Sequence, residues 1–253
     1  MFILTQKQQQ SPQGLGFTMT SPILITGGAQ RLGLAIAKDL LAQQYKVIIT
    51  YRTKKPSVDE LTALGAVTIK ADFSTQEGVL KLISDVKSRT NTLRAIVHNA
   101  SDWEQESDTD DYNHLFQKMM QVHANAPYQL NLAFRNMLLS NNVVNDIIHM
   151  TDYVQGKGSK KHIAYSASKA ALHNLTLSFS ALLAPKVKVN SIAPALVMFN
   201  ENDSAAYREK ALKKSLLEIC PGAQEAVKAV NYLLSSDYIT GQTLHLDGGR
   251  HLK

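Results

Sequence analysis

Short apolar runs alternate with helical periods along nearly the whole chain, and this alternation restricts the fold more than any other feature of the sequence. The runs are rich in β-branched residues and lack the in-and-out alternation of a half-exposed strand, so we expect parallel strands covered on both faces. Between them, apolar residues such as Leu32, Ile36 and Leu40 recur at helical spacing. The pattern predicts an α/β fold, a doubly wound parallel sheet with helices on both faces. The predicted strands span residues 22–26, 46–51, 66–70, 93–98, 146–150, 186–192 and 240–246.

The chain is predicted to form one domain over residues 21–253. Its 253 residues suffice for one well-buried core, and no linker or internal repeat interrupts residues 22–249. Residues 1–20 hold a short apolar patch and a glutamine-rich stretch, and we expect a disordered N-terminal extension there. The segment 195–215 is the longest without a clear strand; it would leave a carboxyl end of the sheet, where it could cover a ligand.

Composition argues against several classes of protein. The net charge of +6 comes from dispersed basic residues, and the densest cluster, Lys157, Lys160 and Lys161, is short, so no nucleic-acid partner is expected. No apolar run approaches the ~20 residues of a membrane span, and the N-terminus lacks the apolar core of a secretory signal. The single cysteine, Cys220, cannot form an internal disulfide. These features predict a cytoplasmic protein without a membrane partner, and no cluster has the spacing of a metal site.

A glycine-rich turn joins the first predicted strand to the first helix. Gly27 and Gly28 permit a tight turn, and Gly33 lets the helix approach the sheet closely. Arg31 and Leu32 follow at the start of the helix, whose free N–H groups and positive dipole end favour a pyrophosphate. Because the turn lies between a strand and a helix, it predicts a Rossmann-type dinucleotide site that includes Gly27, Gly28, Arg31 and Leu32.

The end of the second strand indicates which dinucleotide binds. An NAD site usually has an acidic residue about twenty residues beyond the glycine turn. Here the strand ends in Tyr51, Arg52 and Thr53, and no acid precedes Asp59. An arginine in this place suits a ribose 2′-phosphate through charge-assisted hydrogen bonds. The predicted cofactor is therefore NADPH. The alternative is that these basic residues form a solvated turn without a cofactor role.

A tyrosine and a lysine lie four residues apart on the helix predicted over residues 162–183. Tyr165 and Lys169 therefore share one face of that helix. A tyrosine hydroxyl has a pKa of about 10, and a neighbouring ammonium group would lower that pKa and favour proton transfer. Taken alone, this spacing is a common accident, and a solvated helical pair would be the ordinary interpretation.

Together these features resemble the short-chain dehydrogenase/reductase family over essentially the whole chain from residue 22. The resemblance rests on the glycine turn, on Asn99 and Ala100 after the fourth strand, on Tyr165 and Lys169, and on a Thr-Gly…Leu-Asp-Gly-Gly pattern near the C-terminus. It implies a homo-oligomer, a dimer or tetramer built through the long helices. It also implies cofactor contacts beyond the turn and the second strand, from Asp72, Phe73, Asn99, Ala100, Tyr165, Lys169 and Pro194.

Four residues depart from the common family pattern in the direction of the pteridine reductases, a branch of the same family. Asp152 lies thirteen residues before Tyr165, where most members have serine, and an ionised carboxylate cannot donate to a substrate carbonyl. Arg31 replaces the middle glycine of the turn, Ser101 replaces a glycine, and Trp103 lies where this branch stacks the pterin on the nicotinamide. The resemblance implies NADPH-dependent reduction of a dihydropterin, with dihydrofolate as a further substrate. The catalytic residues implied are Asp152, Tyr165 and Lys169, and the substrate-binding residues are Arg31, Ser101, Trp103, Asp152 and Tyr165.

Each of these residues also has an ordinary structural role open to it, and the whole chain has two rival functions. Trp103 could belong to the core, Arg31 could pair with a surface carboxylate, and Asp152 could cap a turn. The family's helix-borne asparagine falls at His123, with Asn125 two residues later, and neither is given a role.

The chain could be a conventional reductase of a ketone or 3-oxoacyl substrate, which the aspartate argues against. It could also be a non-catalytic dinucleotide-binding sensor, although a sensor has no need of a tyrosine–lysine pair.

Overall fold

The computed structural model describes residues 21–140 and 143–253, and the predicted N-terminal extension, residues 1–20, lies outside the described residues. Seven strands form one sheet in which every neighbouring pair is parallel. All seven predicted strands are present, with ends within three residues of the prediction. The strands are β1 (Ile23–Thr26), β2 (Val47–Tyr51), β3 (Val67–Lys70), β4 (Ala95–His98), β5 (Asn145–Met150), β6 (Val187–Pro194) and β7 (Thr243–Leu246).

The strand order places a crevice at the middle of one sheet edge. The order is β3-β2-β1-β4-β5-β6-β7, so the chain builds outward from β1 in one direction and then, starting at β4, in the other. Loops leave the carboxyl ends of β1 and β4 toward opposite faces, and a ligand crevice opens between them in sheets of this kind. Thr26 is paired with His98 in the register, so both loops start at the same height.

Helices cover both faces of the sheet, as the sequence predicted. No helix among the described residues is long and apolar enough to cross a membrane. A π-helical turn, Gln121–Asn125, connects α4 to α5. The α-helices are α1 (Arg31–Ala42), α2 (Pro56–Ala63), α3 (Gln76–Lys87), α4 (Tyr112–Met120), α5 (Ala126–Ala133), α6 (Arg135–Leu139), α7 (Ile163–Leu183), α8 (Ala205–Leu212) and α9 (Gln224–Ser235).

Each face of the sheet has its own apolar core. On one face, Ile36 of α1 and Val230 of α9 pack on the strands. On the other, Leu82 of α3, Leu130 of α5 and Phe179 of α7 do so. All four residues of β1 are buried, which explains why this strand does not alternate between apolar and polar residues. The expectation that every strand is covered on both faces is wrong for the edge strands β3 and β7, which are partly exposed.

Two buried histidines attach α5 and α7 to the sheet beneath the crevice. The Asn131 side chain lies between them, with Oδ1 at 2.7 Å from Nε2 of His98 and Nδ2 at 3.2 Å from Nε2 of His149. Nδ1 of His149 lies 2.9 Å from Oγ1 of Thr176 on α7. Burial lowers the pKa of His98 to about 4 and that of His149 well below its usual value. Both rings are therefore uncharged at neutral pH, and they position α7 without adding charge to the core.

Candidate active site

A cleft of about 660 Å³ opens at the carboxyl ends of the central strands, where the strand order reverses. Every residue predicted to bind cofactor or substrate lines this cleft, with the exception of Gly28. The structure thus brings together residues that are up to 167 positions apart in sequence, from Gly27 to Pro194. The predicted residues that line it are Gly27, Arg31, Leu32, Tyr51, Arg52, Thr53, Asp72, Phe73, Asn99, Ala100, Ser101, Trp103, Asp152, Tyr165, Lys169 and Pro194.

The glycines of the turn are needed for close packing against β2 and the loop that follows β4. Gly27 has a φ of +66°, and a Cβ added there would lie 2.9 Å from Cα of Ala100. A Cβ on Gly28 would lie 2.7 Å from Cβ of Ile49 on β2, which explains why this glycine packs against the sheet instead of lining the cleft. The turn therefore packs tightly against β2 and the loop after β4, and its N–H groups stay close to the start of α1.

Asn99 and Thr26 lock the turn to the end of β4. Nδ2 of Asn99 donates to the carbonyl oxygens of Thr26 and Gly27 at 3.1 and 2.9 Å. Oγ1 of Thr26 accepts from the backbone N–H groups of Asn99 and Ala100, both at 3.0 Å. The two loops that flank the crevice are consequently one rigid unit.

Arg31 connects this unit to the segment that follows β6. Its φ is +51°, in the left-handed region that favours glycine, which accounts for the glycine that most family members have in the turn. The guanidinium donates to Oδ1 of Asn200 at 2.6 Å and to the carbonyl oxygen of Met198 at 3.2 Å. The segment predicted to cover a ligand, residues 195–215, therefore reaches one wall of the cleft through Arg31, and it contains α8.

Arg52 pairs with a carboxylate that sequence reasoning missed. Its guanidinium donates to Oδ2 of Asp102 at 2.9 Å, and this hydrogen bond raises the pKa of Arg52 further above its usual value. Asp102 also lies 3.4 Å from Nζ of Lys118. The two partners are fifty residues apart, so no local pattern could indicate the contact. More than half of the Arg52 side chain is exposed, which leaves it free to turn toward an anion in the cleft.

Tyr165 and Asp152 form a hydrogen-bonded pair on the other wall of the cleft. The Tyr165 hydroxyl donates to Oδ2 of Asp152 at 3.0 Å, and Oδ1 of Asp152 accepts from the Val154 N–H at 3.0 Å. Burial raises the pKa of Asp152. Asp152 does cap a turn, the ordinary role that its sequence position allowed, yet the same carboxylate also contacts the tyrosine of the predicted site.

Lys169 is buried beneath this pair and donates from Nζ to the carbonyl oxygen of Met150 at 2.9 Å. Burial lowers the pKa of Lys169 to about 8, against the opposing charge of Asp152. The expected lowering of the pKa of Tyr165 by Lys169 is wrong for this geometry. Burial and the charge of Asp152 raise the pKa of Tyr165 well above 10, because Asp152 is at the hydroxyl while the ammonium faces a carbonyl.

The structure gives different environments to His123 and Asn125, the two candidates for the family's asparagine position. His123 is buried, and its ring meets the ring of Tyr165 edge-on at a centroid distance of 5.3 Å. Asn125 is exposed and donates to Oε1 of Gln121 on the outer side of the helix. His123 thus packs directly behind the wall of the cleft, against Tyr165, and Asn125 does not.

Trp103 is at the mouth of the cleft with 58% of its surface exposed, so the alternative that it belongs to the core is wrong. Its ring contacts His162, the residue before α7, at a centroid distance of 4.5 Å. The backbone N–H of Trp103 donates to Oδ1 of Asp102 at 3.0 Å. The aromatic face is therefore available for stacking, and the loop that carries it is tied to Asp102.

Three potential metal ligands, His245, Asp247 and His251, come together near the C-terminus, although their spacing predicted no metal site. The Asp247 carboxylate accepts from the Gly249 N–H at 3.0 Å, from the His251 N–H at 2.9 Å and from Nδ1 of His251 at 2.7 Å. These bonds occupy both oxygens. The carboxylate closes the last turn of the chain, and that role accounts for the grouping.

Comparison with known proteins agrees with this geometry. The family model described as enoyl-(acyl carrier protein) reductase matches residues 27–251. Dihydromonapterin reductase of Citrobacter koseri is 52% identical over 240 residues, 94% of this chain and 100% of that protein. Its Escherichia coli counterpart is 51% identical with the same coverage. Among solved structures, FolM alternative dihydrofolate reductase 1 from Brucella canis, complexed with NADP, superposes with a TM-score of 0.84 at 28% identity, covering 93% of this chain and 96% of that chain. This chain therefore belongs to the short-chain dehydrogenase/reductase family, within which its relatives at about half identity are dihydromonapterin reductases.

Proposed function

We propose that this chain reduces a dihydropterin with NADPH, converting 7,8-dihydromonapterin to the tetrahydro form, and that it also reduces dihydrofolate. The observation that carries the proposal is the carboxylate of Asp152 at 3.0 Å from the Tyr165 hydroxyl, where a carbonyl reductase of this family has a serine. An ionised carboxylate accepts hydrogen bonds and cannot donate one, so it suits the N–H groups of a pterin better than a carbonyl oxygen. The names of the relatives at about half identity support the same substrate class.

The groups around the cleft fit NADPH and a flat heterocycle. The start of α1 and Arg52 supply positive charge for the phosphates. NADPH bound there would supply a hydride to C6 of the pterin, which takes up a proton at N5. Trp103 offers an exposed aromatic face to hold the ring in place, and such orientation contributes much of the acceleration. Asp152 and Tyr165 share a proton beside the ring.

The direct test is NADPH oxidation by the purified protein, followed at the absorbance of the reduced nicotinamide. 7,8-Dihydromonapterin and dihydrofolate are compared side by side, with a simple ketone as the third substrate. We expect turnover of both pteridines, with dihydromonapterin the faster. Binding of NADPH without turnover of either pteridine would contradict the proposal, and turnover of the ketone alone would point to the conventional reductase.

The Arg52→Ala variant is expected to raise the KM for NADPH by about 10- to 100-fold, since hydrogen bonds to a charged group contribute ~1.5–3 kcal/mol. The KM for NADH, which lacks the 2′-phosphate, should change little. Lys54→Ala is the matched control, because Lys54 is a cation on the same turn that pairs with Asp59 at 2.8 Å at the surface. Steady-state kinetics with both cofactors measure the effect. An equal loss for NADPH and NADH would remove Arg52 from the 2′-phosphate site.

We also propose that a second copy of this chain covers the face formed by α4, α5 and α7. Phe116, Met120, Tyr128 and Leu175 line a groove there, and Phe116 and Tyr128 are each about half exposed. Contiguous exposed apolar side chains of this kind mark interfaces. Light scattering should give a dimer or tetramer for the wild type and a smaller species for Tyr128→Glu. A monomeric wild type would contradict this assembly.

A further inference from the structure

His123 has a position in the fold that suits a fixed orientation of its ring. It lies in the π-helical turn Gln121–Asn125, and such turns occur frequently at functional sites. Its side chain points inward, is 1% exposed, and lies between the Ser101 loop and α7. The ring thus joins the loop that follows β4 to the helix that carries Tyr165.

The contacts of the ring specify which nitrogen carries the hydrogen. Nε2 accepts from the backbone N–H of Asp102 at 3.2 Å, so this nitrogen is unprotonated. Nδ1 lies 2.8 Å from Oγ of Ser168, and that hydroxyl gives its own hydrogen to the Tyr165 carbonyl oxygen at 2.7 Å. Oγ of Ser168 must then accept, and Nδ1 must donate. His123 is therefore the Nδ1–H tautomer.

The ring is also uncharged. Burial lowers the pKa of His123 well below its usual value, and the positive charge of Lys169 lowers it further. A neutral ring in one tautomer has a single lone pair, on Nε2, and this lone pair accepts from the Asp102 N–H at 3.2 Å while it faces the Ser101 hydroxyl at the shorter distance of 2.8 Å. The Ser101 hydroxyl also faces the Tyr165 hydroxyl and opposes the rise in its pKa. Its Oγ is 2.8 Å from Nε2 and 3.3 Å from the Asp102 carbonyl oxygen, so the short contact with Nε2 directs the hydrogen at His123.

We propose that His123 is a positioning residue that turns Ser101 into a hydrogen-bond acceptor for the N–H groups of the pterin. With its hydrogen committed to Nε2, the Ser101 oxygen presents lone pairs to the cleft, where Ser101 is part of the lining. Asp152 presents an acceptor from the opposite wall. Two acceptors match the donor groups of an amino-substituted heterocycle and do not match a ketone oxygen. The inference rests on the proposed function, because it names what binds the substrate of that reaction.

Two departures from the common family sequence support a joint role for Ser101 and His123. The family has glycine at the position of Ser101 and asparagine at the position of His123, so both members of the contact differ from the common pattern here. An asparagine amide is too short to reach Ser101 Oγ from this helix, whereas a glutamine can place an oxygen near the position of Nε2. Glutamine is accordingly the conservative variant, and phenylalanine keeps the ring without its nitrogens.

The kinetic experiment uses the wild type, Ser101→Ala, His123→Phe, His123→Gln and the double variant Ser101→Ala/His123→Phe. We expect His123→Phe and Ser101→Ala each to raise the KM for the dihydropterin by about tenfold, with the KM for NADPH within about twofold of the wild type. The double variant should be no worse than either single variant, because both remove the same hydrogen bond. His123→Gln should restore most of the loss. Thermal unfolding of each variant verifies that the fold persists.

A second measurement reads the tautomer directly and needs no substrate. In the correlation spectrum of protein with ¹⁵N-labelled histidine, the His123 signal is identified by its absence in His123→Gln. We expect the neutral Nδ1–H form between about pH 6 and pH 8. A protonated Nε2, or multiplying losses in the double variant, would overturn the inference while leaving the proposed function intact. A wild type that does not turn over dihydropterin would overturn both, and it is recognised because the wild type itself then fails.

Discussion

Replacing Asp152 with alanine is expected to slow turnover by about 10²- to 10⁴-fold, the range for a group that takes part in proton transfer in the transition state. The carboxylate is held in place by the Val154 N–H and accepts the Tyr165 hydroxyl at 3.0 Å. Without it the hydroxyl loses its partner, and the pterin loses an acceptor. The measurement is kcat at saturating NADPH and dihydropterin, with NADPH binding as the control that should be retained.

Tyr165→Phe should cause a loss of the same order, and the double variant should be hardly slower than the single ones. The Tyr165 hydroxyl donates to Asp152 at 3.0 Å, so we expect their titrations and their contributions to the rate to belong to the pair. Losses that multiply in the double variant would mean that the two groups act in separate steps. Unchanged rates in both single variants would remove the pair from the catalytic machinery altogether.

Asp152→Ser restores the residue that most of the family has, and it separates the pterin reductase from its nearest rival. A serine hydroxyl can donate to a carbonyl oxygen, which the carboxylate cannot do. We expect this variant to lose dihydropterin turnover and to gain measurable reduction of a ketone. If it gains none while keeping the dihydropterin activity, substrate class is not determined at this position.

Local patterns in the sequence were sufficient to predict the sheet and most of the cleft. Strand and helix periods depend on neighbours a few residues away, and the order β-turn-α around Gly27 depends on no distant contact. The glycine turn, the end of β2, and the pair Asp152 and Tyr165 meet in the structure because parallel strands end at one edge. The strand order therefore brings residues from separate local patterns together in one site.

Contacts between distant side chains could not be predicted in the same way. The Arg52–Asp102 pair joins positions fifty residues apart, and the role of His123 depends on Ser101 as well as on α7. The direction of the pKa shift of Tyr165 was wrong for a related reason. Helical spacing places Lys169 on the same face, but it does not say where the ammonium group points or how deeply it is buried.

Lys169→Met is expected to raise the stability of the protein while abolishing most of its activity. The ammonium group of Lys169 is buried, and burial lowers its pKa from 10.5 to about 8. That shift corresponds to a cost of about 3 kcal/mol for keeping the charge in the folded state at neutral pH. Methionine has a similar length and no charge. After allowing for the lost hydrogen bond to Met150, we expect the free energy of unfolding to rise by about 1–2 kcal/mol.

The difference in stability between Lys169→Met and the wild type depends on pH. The folded state binds the proton less tightly than the unfolded chain, so the destabilisation by Lys169 is complete below pH ~8 and fades as the pH rises toward ~10.5. Thermal melts should therefore show the variant above the wild type by about 2–8 °C at pH 7, with a smaller difference at pH 10. At pH 7 activity should fall by at least about 100-fold, because the catalytic face of α7 loses its cation. At pH 10 the loss should be smaller, since Lys169, with a pKa of about 8, is then largely uncharged in the wild type as well.

Lys188→Met is the matched control, because Lys188 is a second buried lysine, on β6, for which the opposite change in stability is expected. Nζ of Lys188 lies 2.9 Å from Oδ1 of Asp146, and Arg94 lies 2.5 Å from the other carboxylate oxygen. Removing one cation leaves a buried carboxylate with half of its partners, which costs up to about 3–5 kcal/mol. Destabilisation by both substitutions would mean that the Lys169 charge is accommodated in the fold without cost. Stabilisation by Lys169→Met alone would mean that the buried charge of Lys169 destabilises the fold and is retained because catalysis requires it.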